Sequence, residues 1–245
     1  MDFRAVLLEQ TRSFGELVRA ADPAAPVPTC PGWTFKQLFR HVGRGNRWCT
    51  QIVEDRRIQP LDPREVRDGK PPEDLDAAID WLNEGAQELI DAVERIDTRT
   101  KVWTFVGPRI PGWWIRRRVH EQTVHRADAE LALGNEFTLP ADLAADGISE
   151  WIDLATARGA PLERGQTLHL HATDEELGPT GEWTIVHDEG GISWSHAHGK
   201  GDVAVRGRVV DLLLGITRRR TAAEAGLEIF GDTGVWDGWL TRTPF

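Results

Sequence analysis

A chain of 245 residues is long enough to bury a substantial core, and suits one large domain or two smaller ones. Its formal charge of −10 argues against nucleic acid or an anionic membrane as partner, since either needs a basic face. Cys30 and Cys49 are too few for a disulfide framework, and charges interrupt residues 1–20, so a soluble, cytoplasmic protein is expected.

Phe3, Val6, Leu7, Phe14, Leu17 and Val18 recur with a helical rhythm over Asp2 to Ala20, and the Pro-rich stretch from Asp22 to Pro28 breaks it. Cys30-Pro31-Gly32-Trp33 reads as a turn into a second helix. Thr34 would cap that helix with Gln37 three residues on, and it would run to about Arg57. Gly43 and Gly45 weaken it, but let something approach its backbone closely. Four prolines make residues 60–72 a loop. Leu75, Ile79, Leu82, Leu89, Val93 and Ile96 mark a third helix over Glu73 to Ile96.

Residues 98–112 are irregular, and Trp103, Phe105, Trp113 and Trp114 form either a pocket wall or ordinary core. A fourth helix spans Ile115 to Leu133, ended by Gly134-Asn135. A fifth covers Ala141 to Arg158. Beyond it, short alternating segments at 167–172, 183–187, 192–196 and 203–205 read as strands, with Gly190-Gly191 as a hairpin turn. A short helix at 209–216, a strand at 227–230 and a terminal helix at 235–240 complete the chain. The expected fold is two-domain α+β: a four-helix bundle within residues 1–160, then a smaller mixed α/β domain over 161–245.

The fourth helix carries the most suggestive chemistry. Glu121 and His125 stand four apart, so their side chains differ in direction by only about 40°. His120 and His125 are roughly 140° apart by the same geometry, which excludes a shared face and the zinc-protease pattern. A carboxylate and an imidazole on one face can share a divalent metal, although such pairs are ordinarily solvated. His41, about two turns into the second helix, is the best third donor. Two histidines, one glutamate and an open position make the composition of a catalytic zinc site, and facing helices of a bundle are where such donors meet. Asp128, one turn past His125, is the nearest partner to orient a ligating imidazole. Arg44, on the face of His41, could hold a substrate carboxylate. Arg40, Arg47 and the run Arg116 to Arg118 are expected to attract a small anion or to lie in water. His169 and His171 share a strand face, as His196 and His198 would if their strand extends, but no carboxylate or third ligand stands in evident register with either pair.

Cys30-Pro31-Gly32-Trp33-Thr34 followed by His41, then His120-Glu121-x-x-x-His125-Arg126-x-Asp128-Ala129, resembles the mycothiol-dependent maleylpyruvate isomerase family. The N-terminal half looks like the wider DinB-like group of metal-binding four-helix bundles. Leu168 to Asp174, Glu182-Trp183 and Val209 to Leu214 resemble the family's C-terminal domain, which is related to sterol carrier proteins. The resemblance implies that His41, Glu121 and His125 are metal ligands, with water in the remaining position. It implies mycothiol as thiol cosubstrate. It also implies a catalytic arginine in the C-terminal domain, placed at Arg219 by the preceding run Asp211 to Leu214. The family usually has Trp-Gly just before that arginine where this chain has Thr217-Arg218, so Arg218 and Arg220 remain alternatives.

The function expected is activation of a low-molecular-weight thiol, on zinc or another divalent metal, for isomerisation or S-transfer on a small electrophile, by a monomer or homodimer. A binding protein of the same fold without turnover is the alternative. A metal-dependent hydrolase is another, although no Glu or His beyond the ligands, His120 aside, is placed to act as its base.

Overall fold

In the computed structural model, residues 1–244 are described. The chain divides into two compact units, Met1–Phe137 and Thr138–Phe245. The division falls about twenty residues before the expected boundary, because the fifth helix packs with the second unit.

The first unit is a bundle of α1 (Phe3–Ala20), α2 (Phe35–Glu54), α3 (Leu75–Arg95) and α4 (Gly112–Ala132). Asp2 caps α1 by accepting from the backbone N–H of Arg4, and the N–H of Thr34 donates to Gln37 Oε1 at 2.7 Å as the capping spacing predicts. Phe14, Leu38, Val42 and Leu82 are fully buried between the helices, and Phe39 and Trp81 pack beside them. The stripe patterns of α1 to α3 place them as surface helices of the bundle.

The fourth helix differs. Arg117, Arg118, His120, Gln122, His125, Arg126 and Asp128 are all buried. Of the arginines expected to attract a small anion or lie in water, Arg47, Arg117 and Arg118 are buried, Arg116 is partly buried and Arg40 is exposed. Buried polar groups require partners, and α1 supplies several. Gln122 Nε2 donates to Thr11 Oγ1 at 2.6 Å, and Arg126 Nε to Gln10 Oε1 at 2.8 Å. Arg47 lies over the Trp81 ring at 4.6 Å and donates to the Trp81 carbonyl.

The second unit has α5 (Ala141–Arg158), β1 (Thr167–Ala172), β2 (Glu182–Asp188), β3 (Gly191–Ser195), β4 (Val203–Gly207), α6 (Val209–Ile216), β5 (Glu228–Gly231) and α7 (Thr233–Arg242). Pro63–Glu65 and Glu175–Gly181 add short 3-10 turns that the sequence pattern does not announce. The strands form one sheet in the order β3-β2-β1-β4-β5, parallel only between β1 and β4. The β2–β3 hairpin turns through Glu189-Gly190, with Gly191 opening β3 at φ 108°. Leu168, Leu170, Trp183, Ile185, Val203 and Val205 share one face and are fully buried. Trp183 Nε1 donates to Ser149 Oγ of α5 at 2.9 Å, which is why α5 belongs with the sheet. Among the described residues, no helix is long and apolar enough to cross a membrane.

Candidate metal centre

His41 of α2 and Glu121 and His125 of α4 converge inside the bundle. Each presents one donor atom, and these atoms lie within 4.8 Å of one another. His41 Nε2 stands 3.1 Å from Glu121 Oε1. The His41 and His125 rings meet edge to face with centroids 4.9 Å apart. Trp33, delivered by the Cys-Pro-Gly-Trp turn, packs on His41 at 4.9 Å and stacks on His125 at 6.3 Å.

The second oxygen of Glu121 is held from behind. Arg118 Nη1 lies 2.8 Å from Oε2 and Arg117 Nε 3.6 Å from it. Arg118 is itself fixed by Asn46 Oδ1 and the Val42 carbonyl, each accepting at 2.9 Å. That close passage over α2 needs Gly45, where a Cβ would come within 2.6 Å of Nη1. Burial works to raise the Glu121 pKa, but Arg118, His41 and Arg117 together outweigh it and hold the carboxyl well below its ordinary range. Glu121 is therefore ionised at neutral pH. Burial, opposed by Asp128 and reinforced by His41, pushes His125 below the usual imidazole value. His125 Nδ1 is 2.8 Å from the fully buried Asp128 Oδ2, and the Cys30 thiol donates to the same oxygen at 3.3 Å. A neutral imidazole donating Nδ1–H to Asp128 offers Nε2 as its ligand atom.

The result is a set of two imidazoles and one carboxylate, the donor chemistry of a divalent site with room for a further ligand. Cys30, His125 and Asp128 also lie within 4.8 Å of one another. The bond from His125 to Asp128 makes that trio read as support for the imidazole rather than as a second set of ligands.

A cavity of about 430 Å³ opens on the centre, with His41, Glu121, Arg40, Arg44, Trp48 and Phe105 in its wall. Arg44 donates Nε to the Gly69 carbonyl at 2.8 Å, which fixes its stem beside His41. Of the aromatic residues at 103–114, Phe105 lines the cavity while Trp114 is core. Trp48, which carries no motif, stacks on Phe105 at 5.7 Å. His120 packs edge-on to Phe3 at 6.1 Å and lies outside the cavity wall. Sequence reasoning missed Arg118 as the partner of Glu121. The signals available were its i,i+3 spacing and the glycine at position 45.

Arg219 lies in the second unit, just past α6. The Arg219 N–H donates to the Leu214 carbonyl and the Arg218 N–H to that of Gly215, with Arg218 at φ 61°. This is the helix-ending motif that ordinarily takes glycine at the left-handed position. Arg218 holds that left-handed position here, and Arg219 is the residue that follows it. Its Nη1 donates to the Thr217 carbonyl at 2.8 Å.

The fold and donor set define a class: a helical bundle with a histidine–carboxylate centre, joined to a small α+β unit. The sequence matches the model of the mycothiol maleylpyruvate isomerase N-terminal domain over residues 5–130 and that of the MDMPI C-terminal domain over residues 142–238. The chain belongs to the mycothiol maleylpyruvate isomerase family, which places it among enzymes of thiol-dependent isomerisation. Two solved structures, of mycothiol-dependent maleylpyruvate isomerase and of a variant with one histidine replaced by alanine, are similar in fold. Each has TM-score 0.62 and 16% identity over 90% of this chain and 89% of the other. No curated protein matches the chain.

Proposed function

We propose that this chain is a divalent-metal enzyme, with zinc the metal its donors best suit, that activates a low-molecular-weight thiol such as mycothiol for isomerisation or S-transfer on a small electrophile. The observation that carries this reading is the meeting of His41, Glu121 and His125, with Glu121 ionised, at the wall of a cavity. A divalent metal held by these three would lower the pKa of a thiol so that a nucleophilic thiolate is available at neutral pH.

The chain's own residues supply the rest. Arg118 keeps Glu121 charged, and Asp128 holds His125 in one tautomer. Trp33, Trp48 and Phe105 give the cavity apolar wall that keeps water from the reacting atoms. Arg40 and Arg44 bring positive charge to the same wall, suited to a carboxylate on the substrate. Arg219 is proposed as the catalytic arginine; its support is its place after the turn at Arg218. The hydrolase alternative needs a base beyond the ligands, and His120, the residue considered for it, faces Phe3 instead.

The test is zinc content together with thiol-transfer and isomerisation assays on the wild type and His41→Ala. The wild type is expected to retain metal and turn over with thiol, and the variant to lose both. A wild type that purifies metal-free and stays inert after zinc reconstitution overturns the proposal.

A further inference from the structure

A second cluster lies wholly within the sheet unit. His169 and His171 point to the same face of β1, opposite the buried apolar one. The antiparallel register sets Glu182 of β2 directly across from His171 and Thr184 across from His169. The carboxylate that seemed missing from the strand pattern is therefore present. The third imidazole comes from outside the sheet. β3 ends at Ser195, so His196 and His198 do not share a strand face. Instead, His198 folds back and places Nδ1 2.7 Å from Glu182 Oε2. Donor atoms of His169, His171, Glu182 and His198 all lie within 4.8 Å of one another.

Two details distinguish this cluster from a chance gathering of polar side chains. The Thr184 hydroxyl donates its one hydrogen to the Ala197 carbonyl at 2.8 Å, so in its 3.0 Å contact with His169 Nδ1 it must accept. His169 therefore carries a proton on Nδ1. Its Nε2 is buried, makes no hydrogen bond, and stands 3.1 Å from Glu182 Oε2. A nitrogen lone pair facing a carboxylate oxygen at that distance is repulsive, so a proton or a metal ion has to lie between them. A ligating histidine ordinarily donates its other N–H to a neighbouring oxygen, as His169 does to Thr184.

The loop is also shaped for the approach. At Gly199 a Cβ would come within 2.9 Å of Thr184 Oγ1, and at Gly201 within 3.0 Å of the Thr167 carbonyl. Only glycines let residues 199 and 201 lie this close to β1 and β2, and their closeness is what delivers His198.

We propose that His169, His171, Glu182 and His198 form a second zinc site that fastens the loop of residues 196–202 to the sheet. Four protein donors leave no open position, which is the arrangement of a site that holds structure rather than one that turns over substrate. Tetrahedral zinc donors stand about 3.3 Å apart, so the exposed His198 and the half-buried His171 close inward on binding while His169 and Glu182 stay in place.

The experiment uses the full chain, stripped with a chelator, reloaded with zinc, desalted and measured for metal by mass spectrometry. In a His41→Ala/His125→Ala background, one zinc per chain is expected to remain. Adding His171→Ala and His198→Ala to that background should abolish it. Because the background already lacks the bundle's histidines, the outcome does not depend on the proposed active centre. Zinc should also slow tryptic cleavage after Lys200 about tenfold, as a ligand that binds only the closed loop must. Glu182→Gln, which keeps the side chain's shape, should lose that protection. Zinc retained at the same level without His171 and His198, or cleavage after Lys200 that zinc does not slow, overturns the proposal.

Discussion

The two histidine clusters are built by different means, and the contrast shows what each can tolerate. In the bundle, α2 and α4 bury a carboxylate against Arg118, itself nearly inaccessible at 2% exposure. Charge there is balanced by charge, and the site is shaped before any ligand arrives. On the sheet, three imidazoles surround Glu182 with no arginine among them, and His198 is 78% exposed. That cluster has no permanent positive charge of its own, so a metal cation would complete it.

Removing the carboxylate from each cluster should separate them most sharply. Glu121→Ala leaves Arg118 buried without its counter-ion and should cost about 3 kcal/mol of stability, as breaking a buried pair does. Glu182→Ala removes a carboxylate of similar burial, but one whose partners are imidazoles, one of them exposed, rather than a buried arginine, so it should cost less in the metal-free chain, about 1 kcal/mol. Urea denaturation of both variants checks this, and equal costs would remove the distinction.

Acid should act on the bundle in two stages. The folded pKa of His125 lies below its unfolded value, so its contribution is complete above about pH 6.5 and declines as the unfolded chain takes up a proton below that. Glu121 is also depressed. Its contribution is therefore present above about pH 4.3 and is lost as the pH falls toward its much lower folded value. Melting temperatures of the metal-free chain should fall in both windows, and His125→Asn should lose only the upper slope.

Asp128→Asn keeps the size of the residue that orients His125 but removes its charge. Zinc affinity at the bundle should drop roughly 10- to 100-fold, while retention by the sheet cluster stays unchanged. Isothermal titration of the full chain reads both. The smallest effect belongs to the turn that precedes Arg219. Arg218 sits at φ 61°, so Arg218→Gly should stabilise the chain by about 1 kcal/mol, seen as a higher melting temperature.

How much was legible follows from the same contrast. The helices α1 to α3 could be read because their apolar residues repeat with the helical period, α4 has no such stripe and is marked by its Gly134-Asn135 stop, and α5 and α6 fall on their expected residues. Gly43 and Gly45 were read as places of close approach. Trp81 and Arg118 fill them. The pair Glu121 and His125 was legible because four residues on a helix return to nearly the same direction, a local rule that needs no partner. The burial of Arg117 and Arg118 was not legible, since charged side chains ordinarily face water, and it is α2 and Glu121 that supply the partners for Arg118.

The sequence by itself determined the helices, the strands, the division into a helical and a mixed unit, and the donors that one helical turn brings together. Tertiary structure alone decided that His41 meets Glu121, that α5 packs with the sheet, and that Glu182 and His198 join His169 and His171. The reason is physical. Neighbours along a helix are set by its period, whereas partners across a sheet or between helices depend on register and packing, to which residues far apart in the chain contribute at once.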